Sequence, residues 1–300
     1  MSEAIEIMRA AVLRTFPHWD PATITLEPLS GGITNQNAIV SVSSLAPQRF
    51  VVRLPGERTE LLGIDRANEA EATRRAAALG IAPAVLGELD GIGTVVTEFV
   101  PGTHLEPVDF VGRLDEVVGI IARFHASGAL AGEFPIHRVV EWHARDAVAH
   151  GAALPAAYPK LLALSLRIEA EFAMASDVPV ACHNDLLPSN VLFGRDRTWL
   201  LDFEYAGMND RYFDLANLSV NCGFGADADD RLLTLYFGEV TDRQRRRLAL
   251  MKVMSEFREG MWAVVQQVIS TLDTDFVTYA DERLANAVLL GDSCFGNDQA

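Results

Sequence analysis

The segment His183-Asn184-Asp185-Leu186-Leu187-Pro188-Ser189-Asn190, followed by Asp202-Phe203-Glu204, decides how the rest of this sequence is interpreted. It places a histidine, an aspartate and an asparagine on one short loop. A second aspartate follows an apolar segment that can return as a β-strand. Phosphoryl transfer from ATP needs these groups: one carboxylate accepts the proton of the attacking hydroxyl, while an amide and a second carboxylate hold Mg²⁺ against the phosphates.

The spacing of this motif is specific. Protein kinases arrange the same roles as H-R-D-x-x-x-x-N and D-F-G, and this chain has H-N-D-x-x-x-x-N and D-F-E. Three fixed residues at about 5% usage each match by chance about once per 8,000 positions. The alternative is a loop whose aspartate and asparagine only form turns, and it is the weaker interpretation.

Composition and charge narrow the class of protein. The chain has 300 residues with 49% hydrophobic content, enough for one large domain or two lobes. No apolar run reaches the roughly 18 residues that suggest a membrane span, and the acidic start, residues 1–6, is unlike a secretory signal. Three widely spaced cysteines argue against a disulfide framework or a zinc site, so we expect a cytoplasmic protein.

The net charge of −16 argues against a nucleic-acid partner and weakly favours a cationic small-molecule substrate.

The order of the predicted elements is a small β-rich lobe, a short hinge and a helical lobe that carries the motif. This order resembles the two-lobed α+β fold of protein kinases. The predicted N-terminal lobe, residues 1–101, binds the nucleotide, and the predicted C-terminal lobe, residues 102–300, is helical and catalytic. In the first lobe the pattern predicts a helix over 3–15, strands over 24–29, 37–42, 50–54, 83–88 and 94–98, and a helix from an N-cap at Asp65 to Gly80. In the second it predicts helices over 107–127, 160–175, 229–237, 242–270 and 276–290, with a loop-rich segment over 128–159.

With this motif and this order of elements, the chain resembles the choline/ethanolamine kinase family, within the kinase-like group that includes aminoglycoside phosphotransferases. The matching segments are 183–186, 202–207, 211–217 and 262–280, and the resemblance spans about residues 29–284. The D-F-E-Y sequence followed by F-D-L-x-N looks more like choline/ethanolamine kinases than like antibiotic phosphotransferases, which usually have D-x-[GD] there.

The motif and the resemblance assign the catalytic residues. Asp185 is expected to take the substrate proton, and Asn190 and Asp202 are the expected Mg²⁺ ligands because magnesium prefers hard oxygen donors. His183 completes the motif; we favour a hydrogen bond to the backbone near Asp202, with a proton shuttle as the alternative. Asp214 is expected to brace the catalytic loop from behind, and His125 to be a buried structural histidine.

The predicted N-terminal lobe has candidate residues for binding the nucleotide. Arg53 stands where protein kinases have a strand lysine, and a guanidinium can bind phosphate oxygens bidentately. Glu69 is its expected partner, although solvated surface charge is the alternative for both residues. A turn over the ATP phosphates, or else an ordinary hairpin, is predicted at Gly31, Gly32, Thr34 and Asn35. The resemblance also implies a hinge at Glu98 and Val100 that offers backbone groups to adenine.

The acceptor pocket is less certain from sequence. A quaternary ammonium is best held by aromatic faces and nearby carboxylates. The residues expected to bind the acceptor are Glu204, Tyr205, Tyr212, Asn221, Glu259, Trp262 and Tyr279. Two of these depart from the family, because Glu259 stands where a second aromatic is expected and Asn221 where choline kinases tend to have an acid. The aromatic residues could equally be plain core.

These observations lead to one main function hypothesis and two alternatives. The main one is an ATP- and Mg²⁺-dependent kinase of a small cationic amino alcohol, choline or ethanolamine. The first alternative is a related kinase of thiamine, an aminoglycoside or another hydroxyl compound. The second is a non-catalytic module that binds a nucleotide, which the presence of Asp185, Asn190 and Asp202 disfavours. The acceptor, the oligomeric state, the pathway and any lid function of residues 128–159 are left open.

Overall fold

The N-terminal part of the chain is built on one antiparallel sheet. The computed structural model describes residues 2–29, 35–44, 48–56, 58–174, 177–270 and 274–296. Helix α1 (Ser2–Thr15) precedes the sheet, and helix α2 (Arg66–Ala78) lies between its third and fourth strands in sequence. The strands are β1 (Ile24–Leu29), β2 (Gln36–Val42), β3 (Gln48–Leu54), β4 (Val85–Glu88) and β5 (Val95–Glu98), in the spatial order β1-β2-β3-β5-β4.

Alternation along β3 sets the two faces of this sheet. Successive strand residues point to opposite faces. Val52 is fully buried in a small core that includes Met8 and Val12 of α1. Arg53, the next residue, is paired in register with Asn37 of β2 and lines a cleft on the other face. The strand therefore presents a cation to the cleft while its neighbour anchors the sheet to α1.

Helix α2 begins where its sequence predicts. Asp65 Oδ1 accepts hydrogen bonds from the backbone N–H groups of Ala67 (2.8 Å) and Asn68 (3.1 Å), which confirms the N-cap. The first turn of the helix then places Glu69 on its buried face. The helix ends at Ala78, just before Gly80, whose φ of 67° suits a residue without a Cβ.

The C-terminal part is mainly helical and contains two short two-stranded sheets. The described helices are α3 (Leu114–His125), α4 (Ile136–Ala149), α5 (Tyr158–Ala173), α6 (Arg211–Asn221), α7 (Ala226–Phe237), α8 (Asp242–Ile269) and α9 (Phe276–Phe295). Strands β6 (Val180–Cys182) and β9 (Gly207–Asn209) form one antiparallel pair, and β7 (Val191–Phe193) and β8 (Thr198–Leu200) form the other. The loop over 183–190 connects the two pairs and is held at both ends by strands.

Helices α8 and α9 approach closely at a glycine. A Cβ on Gly260 would lie 2.6 Å from Cδ2 of Leu284, so only a glycine permits this contact. The close approach brings Tyr279 of α9 next to Glu259 of α8.

Two predictions about helices need correction, and one helix was missed. The segment 128–159 is not a loop, because it contains the 14-residue helix α4. The buried positions of α4 follow helical spacing, but they include His143 and two alanines, which weakens the apolar signal. The predicted helix over 107–127 starts instead as a 3-10 helix (Pro107–Arg113) and becomes α3 at Leu114. Helix α6 was not predicted.

The two-lobed α+β architecture agrees with the predicted fold class, and the boundary at residue 101 stays a prediction. Across the described ranges, no helix combines the length and the apolar character that crossing a membrane requires.

Candidate active site

The loop over 183–190 is held from behind by Asp214 of α6. The Asp214 carboxylate accepts the backbone N–H of His183 on Oδ2 and that of Asn184 on Oδ1, both at 2.7 Å. His125 Nε2 lies 2.9 Å from Oδ2 of the same group. Burial by itself would raise the pKa of Asp214, but its contacts with His125 and His183 outweigh burial and lower it. Asp214 and His125 thus have the buried, loop-bracing geometry that the sequence predicts.

His183 contacts the backbone next to Asp202. Its Nε2 lies 2.9 Å from the carbonyl oxygen of Leu201, and burial lowers the pKa of the imidazole. This is the favoured of the two geometries expected from the sequence, and it ties the loop to the segment that carries Asp202. Asn184 and Asp202 have φ values of 64° and 63°, in the left-handed region. Such strained backbone gathers at functional sites.

Asp185 projects from this loop between two contacts. Its Oδ2 accepts Asn190 Nδ2 at 3.2 Å, and its Oδ1 accepts Nη1 of Arg258 at 3.2 Å. Burial raises the pKa of Asp185 to about 7, with Glu259 and Asp202 adding to the effect and Arg258 opposing it. A buried carboxylate of this kind is suited to accept a proton near neutral pH.

Asn190 and Asp202 offer the oxygen donors that Mg²⁺ needs. Asn190 Nδ2 is engaged by the backbone oxygen (2.9 Å) and the carboxylate of Asp185, which leaves its amide oxygen as the atom for a metal. Carboxylate oxygens of Glu69, Asp202 and Glu204 lie within 4.8 Å of one another. An all-oxygen donor set fits magnesium, so the residues present are compatible with the predicted ion.

A cleft of about 490 Å³ lies between the sheet and the catalytic loop. Four of the eight predicted nucleotide-binding residues line it, namely Arg53, Glu69, Glu98 and Val100. The predicted metal ligands Asn190 and Asp202 line it as well. Gly31, Gly32 and Thr34 lie outside the described residues. Asn35 is described, and its Nδ2 donates to Glu204 Oε1 at 2.9 Å.

Arg53 lies among three carboxylates. Its Nη1 is 2.9 Å from Asp202 Oδ1, 3.0 Å from Glu204 Oε1 and 3.2 Å from Glu69 Oε1. A second arginine, Arg66, contacts Glu69 at 2.6 Å and Glu204 at 2.7 Å. We refer to these five residues as the nucleotide-end network. Glu204 was predicted to bind the acceptor, but its contacts with Asn35, Arg53 and Arg66 favour a place at the nucleotide end.

The other side of Asp185 holds aromatic rings and a second arginine–carboxylate pair. Trp262 Nε1 donates to the hydroxyl of Tyr205 at 3.0 Å, and the rings of Trp262 and Tyr279 meet edge to face. The Tyr279 hydroxyl donates to Glu259 Oε1 at 2.8 Å. Arg258 Nη1 contacts Glu259 Oε2 at 2.7 Å as well as Asp185. We call the six residues Asp185, Tyr205, Arg258, Glu259, Trp262 and Tyr279 the acceptor-end cluster.

Two predicted acceptor residues have other surroundings. Tyr212 stacks on Phe237 and lies under the guanidinium of Arg247, so it is not part of the acceptor-end cluster. The amide of Asn221 lies 3.5 Å from the backbone oxygen of Leu186, which places it behind the catalytic loop. Sequence reasoning missed Arg66 and Arg258. A signal existed for Arg258, because the helix segment that follows it, residues 260–265, is apolar and predicts a buried helix.

The sequence is similar to a known family of proteins and to individual members of it. Residues 25–249 match the model of the phosphotransferase enzyme family. Ethanolamine kinase 2 from Homo sapiens is 28% identical over 293 residues, which cover 88% of this chain and 75% of that protein. Protein LicA from Haemophilus influenzae is 26% identical over 275 residues, which cover 87% of this chain and 78% of that protein.

Solved structures show the same likeness. A choline/ethanolamine kinase family protein from Mesorhizobium loti is 30% identical, with a TM-score of 0.79 over 95% of this chain and 94% of that chain. An aminoglycoside phosphotransferase with bound ADP shares the fold, at 13% identity and a TM-score of 0.58 over 90% of this chain and 94% of that chain.

Fold and site together define a phosphotransferase of kinase-like architecture. A kinase binds a nucleotide as its phosphoryl donor, and the cleft beside Asp202 has the residues for one. The chain belongs to the phosphotransferase enzyme family, within which it is a member of the choline/ethanolamine kinase family.

Proposed function

We propose that this protein transfers the γ-phosphoryl group of ATP to the hydroxyl of a small cationic amino alcohol, choline or ethanolamine, with Mg²⁺ as the metal. The observation that carries this proposal is the position of Asp185. It has a magnesium-type ligand, Asn190, on one side and a cluster of aromatic rings with a carboxylate, Glu259, on the other. The related ethanolamine kinases support the same class of acceptor.

The nucleotide end would position the donor. Asn190 and Asp202 would hold Mg²⁺, which supplies charge neutralisation to the phosphates when it is bound. Arg53, which lies among carboxylates, would turn its guanidinium to the phosphate oxygens once the metal neutralises those carboxylates. Glu98 and Val100 line the cleft at the place where adenine would contact backbone groups.

The acceptor end would position the alcohol. The rings of Tyr205, Trp262 and Tyr279 suit the ammonium group by cation–π attraction, and Glu259 supplies the opposite charge. The hydroxyl would then face Asp185, whose carboxylate takes its proton as the oxygen bonds to the γ-phosphorus. The bond from that phosphorus to the β–γ bridging oxygen breaks, and ADP and a phosphate monoester leave. Most of the rate enhancement would come from positioning and charge neutralisation.

The test measures ADP release from Mg-ATP with choline, ethanolamine, thiamine and a representative aminoglycoside in parallel. Turnover with choline or ethanolamine is the expected result. Turnover with thiamine or the aminoglycoside alone would keep the kinase chemistry and reject the acceptor class. Stabilisation by Mg-ATP against heat without turnover of any acceptor would instead indicate a non-catalytic nucleotide-binding protein. A cytoplasmic location stays a prediction.

A further inference from the structure

Arg258 is a deeply buried cation beside the catalytic carboxylate. Its side chain is 1% exposed, and its guanidinium lies 4.3 Å from the ring centre of Tyr205. Within the described residues, its Nε and Nη2 have no hydrogen-bond partner. Burying an arginine is costly unless its charge is paired. The contacts of Nη1 and the face of Tyr205 therefore hold this group in place.

A single nitrogen of Arg258 joins two carboxylates. Nη1 lies 3.2 Å from Asp185 Oδ1 and 2.7 Å from Glu259 Oε2. The two carboxylate oxygens can be separated by no more than the sum of these distances. Glu259 is also fixed from its other side, because its Oε1 accepts the Tyr279 hydroxyl. The proton-accepting carboxylate and the carboxylate opposite the ammonium are thus held at one short separation.

We propose that Arg258 is a positioning residue that sets the distance between Asp185 and Glu259, and through it the length of amino alcohol that the enzyme accepts. This inference rests on the proposed function. A two-carbon amino alcohol separates its oxygen from its nitrogen by about 3 to 4 Å, as three covalent bonds of about 1.5 Å require. Such a molecule can place its hydroxyl on Asp185 and its ammonium on Glu259 together, and each further methylene makes that placement worse.

The charges in the cluster agree with this role. When both carboxylates are ionised, Asp185 and Glu259 each bring one negative charge and Arg258 one positive charge, so the three leave a net charge of −1 for a monocationic acceptor. Without Arg258 the two carboxylates would repel each other and separate. The acceptor would still meet a negatively charged pocket, but its hydroxyl would no longer be aligned with Asp185.

The experiment compares Arg258→Met, Arg258→Lys and Glu259→Gln with wild type. The acceptors are amino alcohols with two, three and four carbons between hydroxyl and amine. Arg258→Met is expected to lower kcat about 100-fold, because misplacement of a reacting group has this order of cost, with no rise in the KM of the acceptor. Its kcat/KM should also vary less with acceptor length than that of wild type. Arg258→Lys, which keeps a donor cation, should recover part of both losses.

Glu259→Gln is expected to show the opposite split, with an acceptor KM that rises about tenfold and a smaller change in kcat. The matched control is Arg247→Met. Arg247 lies on the same helix, is similarly buried, and pairs with Asp210 at 2.6 Å outside the acceptor-end cluster. This control should leave the length preference unchanged.

Four outcomes would overturn the proposal. One is a wild-type kcat in Arg258→Met, and another is an unchanged preference for two carbons. The third is an equal loss of kcat in Arg247→Met, which would mark a general structural effect. The fourth applies if Mg-ATP does not stabilise Arg258→Met, which would mean that this variant has not folded. In that case, a wild-type kcat and a wild-type length preference in both Arg258→Lys and Glu259→Gln would reject the proposal. Wild-type protein that phosphorylates no amino alcohol would reject the proposed function itself, and this outcome is distinct from the other four.

Discussion

Both sides of the catalytic loop have an arginine–carboxylate network, and the two networks differ in how far solvent reaches them. At the nucleotide end, the side chains of Arg53 and Asp202 are 18% and 27% exposed. At the acceptor end, the side chains of Arg258 and Asp185 are 1% and 13% exposed. An ion pair that solvent reaches can exchange partners with a ligand at low cost, whereas a fully buried pair is expensive to break.

This difference in solvent exposure indicates that the two networks have different roles. Under the proposed function, the nucleotide-end network would open, since phosphates would offer Arg53 and Mg²⁺ would offer Asp202 a new partner of higher charge. The acceptor-end cluster would stay closed around Arg258, and the acceptor would enter beside an arrangement that is already formed. The enzyme would therefore adapt to its nucleotide and select its amino alcohol by a fixed geometry. The variants below separate these two behaviours.

The largest effect on activity is expected for Asp185, which contacts Asn190 on one side and Arg258 on the other. Asp185→Ala should lower kcat by about 10³-fold or more, since it removes the group that accepts the proton. Stabilisation by Mg-ATP in a thermal unfolding assay should be largely kept, because Asn190 and Asp202 remain. Near-normal turnover in this variant would remove Asp185 from its role.

The next effect tests the nucleotide end alone. Arg53→Met should raise the KM of ATP about 30-fold, because hydrogen bonds between charged groups contribute about 2 kcal/mol each. The KM of the acceptor should stay within error. Arg14→Met is the control, because Arg14 forms an exposed pair with Asp90 in the same part of the chain. An acceptor KM that rises together with that of ATP would mean that the two networks are coupled.

Local sequence patterns predicted much of this site, for an identifiable reason. Asp185, Asn190 and Asp202 are close in sequence, and their spacing is itself the signal. The N-cap at Asp65 is also local, because its bonds reach only two and three residues ahead. Patterns of this kind need no knowledge of the tertiary structure.

The residues that escaped prediction act over long sequence distances. Arg66 pairs with Glu204 across 138 positions, and Arg258 pairs with Asp185 across 73. Nothing local distinguishes Arg66 from a solvated arginine, and Arg258 has one local signal, the apolar segment at residues 260–265 that follows it. Glu204 shows a related difficulty, since it adjoins Tyr205 in sequence but contacts the opposite end of the site. A neighbour in the motif is thus not always a neighbour in the pocket.

A pair of adjacent residues can test the reassignment of Glu204. Glu204→Gln should raise the KM of ATP about tenfold, because it weakens two arginine contacts that are partly buried. Tyr205→Phe should leave the KM of ATP unchanged and raise that of the acceptor about threefold, since its ring stays and one neutral hydrogen bond is lost. The reverse pattern in steady-state kinetics would return Glu204 to the acceptor pocket.

The smallest effect concerns stability at the acceptor end. His143 of α4 is fully buried; burial, with the charge of Arg258 adding to it, lowers its pKa from 6.5 to about 3, while Asp146 and the backbone of Leu62 act the other way. The unfolded chain therefore binds a proton below pH 6.5 that the folded chain rejects. The contribution of this neutral histidine is full above pH 6.5 and is lost as pH falls toward 3.

Urea unfolding at several pH values measures this contribution. Wild-type protein should lose about 1 kcal/mol more than His143→Phe when the pH falls from 6.5 to about 5.5. His150→Phe is the control, because His150 is exposed at the end of the same helix. Identical pH dependence in wild type and His143→Phe would mean that His143 takes up its proton without unfolding. The surroundings of Arg258 would then be accessible to protons from solvent, as we infer only for the nucleotide-end network. The contrast in solvent access between the two networks would fail.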